Sequence, residues 1–131
     1  MNLEQATRHV EDNLRSALTC LPARVRAERV ACGPVPCDES ADDEPVERFV
    51  ASVDYRIHDV PPEEYGRCLD ALLAWWSGNG FVVLTDARPR GLYVWVRHAV
   101  DGFQMAAQAN DRGELYLTST SPCVRSGGEP A

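Results

Sequence analysis

The chain has 131 residues, 44% of them hydrophobic and 25% charged, which suits one globular domain with its own core. Its net charge of −7 is opposite in sign to a surface for nucleic acid or an anionic membrane, so neither is expected as a partner. No apolar run approaches the ~18 residues of a membrane span, and no signal-peptide core opens the sequence. We therefore predict a soluble single domain over residues 1–125, without direct membrane insertion, and a disordered tail at 126–131.

Two segments carry helical patterns. Apolar side chains recur every three or four positions over residues 2–21, Asn2 and Gln5 resemble a capping box, and Pro22 ends the pattern. A second helix begins after Pro61 and ends at Gly78-Asn79-Gly80. Its apolar face is predicted to hold six residues: Tyr65, Cys68, Leu69, Leu72, Leu73 and Trp76. Only Trp76 of the adjacent tryptophans continues this face, so Trp75 should be the more exposed of the two.

The remaining periodic segments alternate apolar and polar residues, as strands with one buried face do. We predict a short strand at 24–31, an irregular stretch at 32–37 and a long strand at 46–57. Four more strands, at 81–85, 92–98, 103–109 and 114–120, are separated by turn sequences and form an antiparallel meander. The order predicts an α+β fold, a two-layer sandwich in which a curved antiparallel sheet carries both helices on one face.

Five cysteines leave at least one thiol unpaired. No CxxC pair occurs and the three histidines are far from the cysteines in sequence, so no metal site is predicted. Cys20 and Cys68 lie in the helical patterns, where each is explained as a small core residue. The alternative is that these two cysteines meet across the helix pair. Cys37 and Cys123 lie in proline-adjacent loops, where burial is a poor explanation for a thiol. We predict a disulfide between these two.

The sequence contains none of the common catalytic or nucleotide-binding motifs. There is no GxSxG elbow, no Walker-type phosphate loop and no GxGxxG fingerprint, and the pair Glu63-Glu64 is explained by the start of a helix. We therefore expect no enzymatic activity, no catalytic residue and no cofactor.

The face of the sheet opposite the helices holds the first candidate site. If the aliphatic residues of the late strands face the helices, then the other face collects Tyr93, Trp95, Arg97, Gln104, Gln108 and Tyr116. Aromatic residues with arginine are typical of protein-binding hot spots. The alternative is that strands simply favour aromatic residues, and that the strand at 46–57 or a loop covers them.

An acidic segment is the second candidate. Six carboxylates contribute −6 of the net charge of −7: Asp38, Glu39, Asp42, Asp43, Glu44 and Glu47. A run of like charges with Pro45 and no apolar periodicity is typical of a solvated loop. The functional alternative is that Asp42, Asp43 and Glu44 steer the chain toward a basic partner.

Three motifs carry a family resemblance: the helix end Trp-x-x-x-Gly-Phe from Trp76 to Phe81, the turn Asp101-Gly102-Phe103, and the ending Ser121-Pro122-Cys123-Val124. With the N-terminal helix and the cysteine-plus-acidic loop, they resemble small actinobacterial envelope proteins, the secreted or lipoprotein family of Streptomyces type, across nearly the whole chain. The resemblance implies no catalytic residues, and it implies that Cys123 pairs with Cys37, or with Cys32 if the register differs.

Members of that family usually begin with a signal peptide and a lipidated cysteine, which this sequence lacks. The chain is therefore expected either as the mature region of an exported protein or as a cytoplasmic relative with reduced cysteines.

Two functions follow from these observations. The first is a non-catalytic binding domain of the cell envelope, such as an immunity protein or an inhibitor, that meets a basic protein partner. The alternative is a carrier of a small ligand or lipid between helices and sheet, with four lining candidates: Tyr65, Trp75, Trp76 and Met105. A closed core favours the binding domain, and a dry cavity favours the carrier.

Overall fold

The computed structural model describes residues 1–37, 48–110 and 112–125. These contain two helices, a short 3₁₀ turn at Pro62–Glu64 and seven strands: α1 (Leu3–Leu18), β1 (Arg26–Pro36), β2 (Arg48–His58), α2 (Tyr65–Gly78), β3 (Phe81–Asp86), β4 (Tyr93–His98), β5 (Gln104–Ala109), β6 (Leu115–Thr120) and β7 (Val124–Arg125). The strands form one open antiparallel sheet in the order β1-β2-β6-β5-β4-β3, with the short β7 beside β2. The predicted α+β sandwich and its meander are confirmed.

Both helices pack on one face of the sheet, α1 on β2 and β6 and α2 on β3, β4 and β5. Helix α1 begins with the predicted capping box: the Gln5 amide donates to Asn2 Oδ1 over 2.9 Å, and the Asn2 amide donates to Gln5 Oε1 over 3.0 Å. Such a reciprocal pair satisfies two amides that the first turn otherwise leaves without partners. Helix α1 ends at Leu18, three residues before the predicted end.

The core lies between the helices and the sheet. Trp76 is 0% exposed, and its indole N–H donates to the sulfur of Met105 over 3.2 Å. Trp75 is half-buried, with its ring centroid 6.3 Å from that of Phe81. The helical phase predicted for α2 is therefore confirmed, since the stripe through Tyr65 and Trp76 is the buried one.

The prediction of an irregular stretch at 32–37 is wrong, because β1 continues to Pro36. The Cys37 amide donates to the Arg48 carbonyl over 3.0 Å. In an antiparallel pair every second residue forms such bonds, so counting back along β1 from Cys37, every second residue bonds to β2 through its main chain. Pro34 and Pro36 fall at the intervening positions, where an N–H would point away from β2. Since β1 is an edge strand, proline costs no ladder hydrogen bond at these two places.

The predicted disulfide between Cys37 and Cys123 is present, with a Cα–Cα distance of 6.4 Å. It joins the end of β1 to the segment just before β7. The other cysteines are free thiols: Cys20 is half-buried, Cys32 exposed and Cys68 buried. Cys32 is therefore not the partner of Cys123. Burial raises the pKa of both Cys20 and Cys68, which disfavours the thiolate form of these two side chains.

Candidate functional site

Cross-strand pairing places the predicted aromatic and arginine residues together on the sheet face opposite the helices. Three rows run from β2 through β6 and β5 to β4, and we call this surface the open face: Arg56, Tyr116, Gln108, Tyr93; then Asp54, Thr118, Ala106, Trp95; then Ser52, Thr120, Gln104, Arg97. Their chain neighbours, such as Val94, Val96 and Leu117, are buried against the helices. Strand alternation thus assigns every one of these twelve side chains to the side away from the core.

Among the described residues, each side chain of the open face is half-buried or exposed, and neither helix packs on it. The alternative that the strand at 46–57 covers the aromatic residues is wrong, because β2 lies in the same sheet, beside β6.

Trp95 is the largest side chain on the open face. Its indole N–H donates to Gln104 Oε1 over 3.0 Å, which fixes the orientation of the half-buried ring. The residue directly opposite on β5 is Ala106, and beyond it on β6 lies Thr118. Because opposite Cβ atoms are only about 5 Å apart, a small residue there leaves more room beside the indole than a large one would. A rigid aromatic beside a small-residue floor is suited to insertion by, or stacking against, a partner group.

Tyr116 is held by a polar cluster at one end of the open face. Its hydroxyl donates to Glu114 Oε1 over 3.3 Å, and the Asn110 amide donates to the same oxygen over 2.8 Å. The other carboxylate oxygen lies 3.2 Å from Arg56 Nη1. Asn110, followed by Arg56 and Tyr116, holds the pKa of the Glu114 carboxyl below its usual 4.5. The cluster keeps Glu114 ionised and orients the Tyr116 ring.

We expect the Glu114 carboxyl to titrate below 4.5, as followed by carbon-detected NMR. A lowered pKa in the folded state stabilises the fold above the pH at which the unfolded group ionises, and this contribution disappears as the pH falls through the folded pKa. Arg56→Gln should raise the pH midpoint of the Glu114 titration, whereas Arg8→Gln, on the exposed side of α1, should leave that midpoint unchanged. A wild-type midpoint at or above 4.5 would contradict the cluster.

The rest of the open face differs between its two sides. Arg97 is exposed and Tyr93 is half-buried at the β4 side. On the β1 side a shallow depression of about 180 Å³ is lined by Ala31, Cys32, Gly33, Pro34, Val35, Ser52 and Asp54.

Glu114 and Arg56 were not among the sequence-predicted site residues. The available signal was spacing, because Glu114 lies two residues before Tyr116 and so shares its face.

The acidic candidates Asp42, Asp43 and Glu44 lie outside the described residues. The described residues on either side of them are linked. The Cys37 amide donates a hydrogen bond to the Arg48 carbonyl, and the Cys37 sulfur forms the disulfide with Cys123. The described residues that flank the acidic segment are therefore held together at the end of the β1–β2 pair.

Three of the four lining candidates of the carrier function belong to the core, and the fourth, Trp75, is half-buried against it. Tyr65, Trp76 and Met105 are buried, and Trp76 and Met105 contact each other directly. Three pockets formed by described residues lie at the surface and are lined by other side chains. The space between α2 and the sheet is filled by these side chains at the positions where a carrier would need room.

Within residues 1–37, 48–110 and 112–125, no group of three or more His, Cys, Asp or Glu side chains is arranged to hold a metal ion. No helix in those ranges has the length and apolar character needed to cross a membrane. No protein-family model matches the chain, and a search of the curated proteins finds no match either.

Proposed function

We propose that this protein is a non-catalytic binding domain of the cell envelope that recognises a basic protein partner through the open face, in the manner of an immunity protein or an inhibitor. The observation that carries the proposal is the placement of Trp95 beside Ala106, within rows that also hold Tyr93, Arg97 and Tyr116. Here the tryptophan and the tyrosines are half-buried and the arginine is exposed, and these residue types on a rigid scaffold dominate the binding energy of protein interfaces.

Two further observations support the proposed compartment of this protein and the proposed positive charge of its partner. A disulfide persists in oxidising compartments, so the Cys37–Cys123 bond favours an exported protein over the cytoplasmic alternative. The net charge of −7 resides almost entirely in the acidic segment, and such a charge attracts a basic surface at long range. The Streptomyces-type family resemblance points to the same compartment.

A site-specific crosslinking experiment tests whether the open face is the binding surface. A photoreactive amino acid replaces Gln108, which is exposed on the open face, or Arg8, which is exposed on α1. In an envelope fraction of a Streptomyces species, we expect the Gln108 position alone to give one discrete adduct, identified by mass spectrometry. Equal labelling from both positions, or labelling from Arg8 alone, would contradict the proposal.

Once the partner is purified, Trp95→Ala should raise the dissociation rate and weaken binding by about 2 kcal/mol or more, as expected for a hot spot. Surface plasmon resonance measures this directly. Arg97→Ala should also weaken binding, while the matched Arg8→Ala should not. A Trp95→Ala variant that binds unchanged would place the interface elsewhere.

The acidic segment should act on a different rate. Neutralising Asp42, Asp43 and Glu44 as amides should lower the association rate and flatten its dependence on salt, because long-range charges steer the encounter and are screened by ions. The dissociation rate should change little. Comparing association rates at low and high salt checks this, and an unchanged salt dependence would remove the steering role.

A further inference from the structure

The two edges of the sheet differ in what they offer to another strand. An edge strand exposes unpaired main-chain groups, and proteins usually block it with prolines, charges or bulges. Strand β1 has such devices: Arg26, Glu28 and Arg29 along it, a bulge at Val30, and prolines at two of the positions whose N–H would point outward. These devices disfavour further pairing at the β1 edge.

Strand β3, at the other edge, lacks most of these devices. Residues 71–85 contain no charged side chain, although 25% of the whole chain is charged. Three consecutive large apolar residues of β3 are exposed, Val82 at 49%, Val83 at 45% and Leu84 at 43%. The half-buried Trp75 lies beside them, against Phe81. The exposed edge of β3 is thus apolar and uncharged, which is unusual for a surface meant to face only water.

The main chain of β3 is available for pairing before its bulge, which lies between Val83 and Thr85. The Gly80 carbonyl accepts a hydrogen bond from the Ala99 amide over 2.9 Å. Opposite residues alternate between bonded and non-bonded pairs, so Val82 also bonds to β4, while the amides and carbonyls of Phe81 and Val83 point outward. In the described sheet no strand lies beyond them.

We propose that β3 pairs antiparallel with β3 of a second copy of this chain, about a two-fold axis at Val82. This register sets Phe81 against the second copy's Val83 and Val82 against its own equivalent, so every outward main-chain group before the bulge finds a partner. The apolar segment is its own complement, as a two-fold interface requires. The result is one continuous sheet that displays two open faces on the same side.

The local charge of the β3 edge fits a second copy as the occupant, because residues 71–85 hold no charged side chain and offer no ion pair to a charged partner. Each copy carries a net charge of −7, so an interface between copies must keep carboxylates apart or neutralised. The carboxylates nearest the apolar segment are Asp70 and Asp86, and both accept hydrogen bonds from Arg88. No unneutralised charge of the described edge therefore meets its own copy across the axis.

Sedimentation velocity over a micromolar concentration series tests the proposal. The wild-type chain is expected to approach twice its mass of 14.5 kDa as its concentration rises. Val82→Lys should remain monomeric, because two ammonium groups would face each other across the axis, while the matched Val35→Lys on β1, at a residue 50% exposed, should dimerise like wild type. Circular dichroism and thermal melting check that both variants are folded.

Two additional variants test the register. Mixing Val82→Lys with Val82→Glu should restore a dimer of one copy of each. In a Cys32→Ser background, Val82→Cys should form an intermolecular disulfide under mild oxidation, because the axis brings the two Cα atoms to about 4.5 Å, whereas Leu84→Cys should not.

A wild-type chain that stays monomeric, a Val82→Lys variant that still dimerises, or a β3 edge that captures only a different protein would overturn the proposal. Trp95→Ala should leave the dimer intact. Failure of self-association is thereby distinguished from failure of the open face as a binding surface.

Discussion

Replacing Trp76 by alanine should lower the free energy of unfolding by about 3–5 kcal/mol, the range found for large aromatic residues removed from a core. The side chain is 0% exposed and lies between α2 and the sheet. Its N–H donates to the sulfur of Met105, so truncation both opens a cavity and leaves that sulfur without its donor. The adjacent Trp75 is half-buried, and Trp75→Ala should cost distinctly less.

Urea unfolding of the two variants, followed by far-ultraviolet circular dichroism, measures this difference. Trp76→Phe is the control that restores most of the volume without the N–H, and its midpoint should lie between wild type and Trp76→Ala. Equal midpoint shifts for Trp75→Ala and Trp76→Ala would show that the two tryptophans contribute alike, and that the helix phase does not determine stability at this position.

The sequence predicted the parts of the fold that depend on periodicity. Leu69, Leu72 and Trp76 repeat at helical spacing and are all buried on one side of α2. Strand alternation likewise assigned Tyr93 and Trp95 to the face away from the helices. Periodicity suffices in these cases because burial against one partner layer is what selects the pattern.

The same reasoning failed for β1, where Gly33, Pro34 and Pro36 have the composition of a loop. A sequence does not show which edge of a sheet a strand will occupy, and proline is compatible with a strand only where its missing N–H faces outward. The Glu114 cluster escaped prediction for a related reason. It joins Arg56 on β2 to Tyr116 on β6 and to Asn110, which precedes β6, and only the neighbouring position of these two strands brings them together.

Removing the Cys37–Cys123 disulfide should lower the free energy of unfolding by about 4–5 kcal/mol, as an upper value. The two cysteines are 86 residues apart, and the chain-entropy model attributes the effect to the freedom that the unfolded chain regains when so long a loop is opened. Residual structure in the denatured state reduces that gain. The double variant Cys37→Ala with Cys123→Ala tests this without introducing new thiols.

The native structure near the bond should survive its removal, because other contacts hold the C-terminal segment. The Ala51 amide donates to the Ser121 hydroxyl and the Ser121 amide donates to the Ala51 carbonyl, each over 2.8 Å, and Val124 is buried. We therefore expect amide NMR spectra that change only near residues 37 and 123, together with a large drop in the urea midpoint. The exposed thiol Cys32 supplies the control, since Cys32→Ser should shift stability by less than about 0.5 kcal/mol. A double variant as stable as wild type would show that the disulfide does not stabilise the fold. A double variant whose amide spectrum loses its chemical-shift dispersion would show that the bond is needed to form the native state.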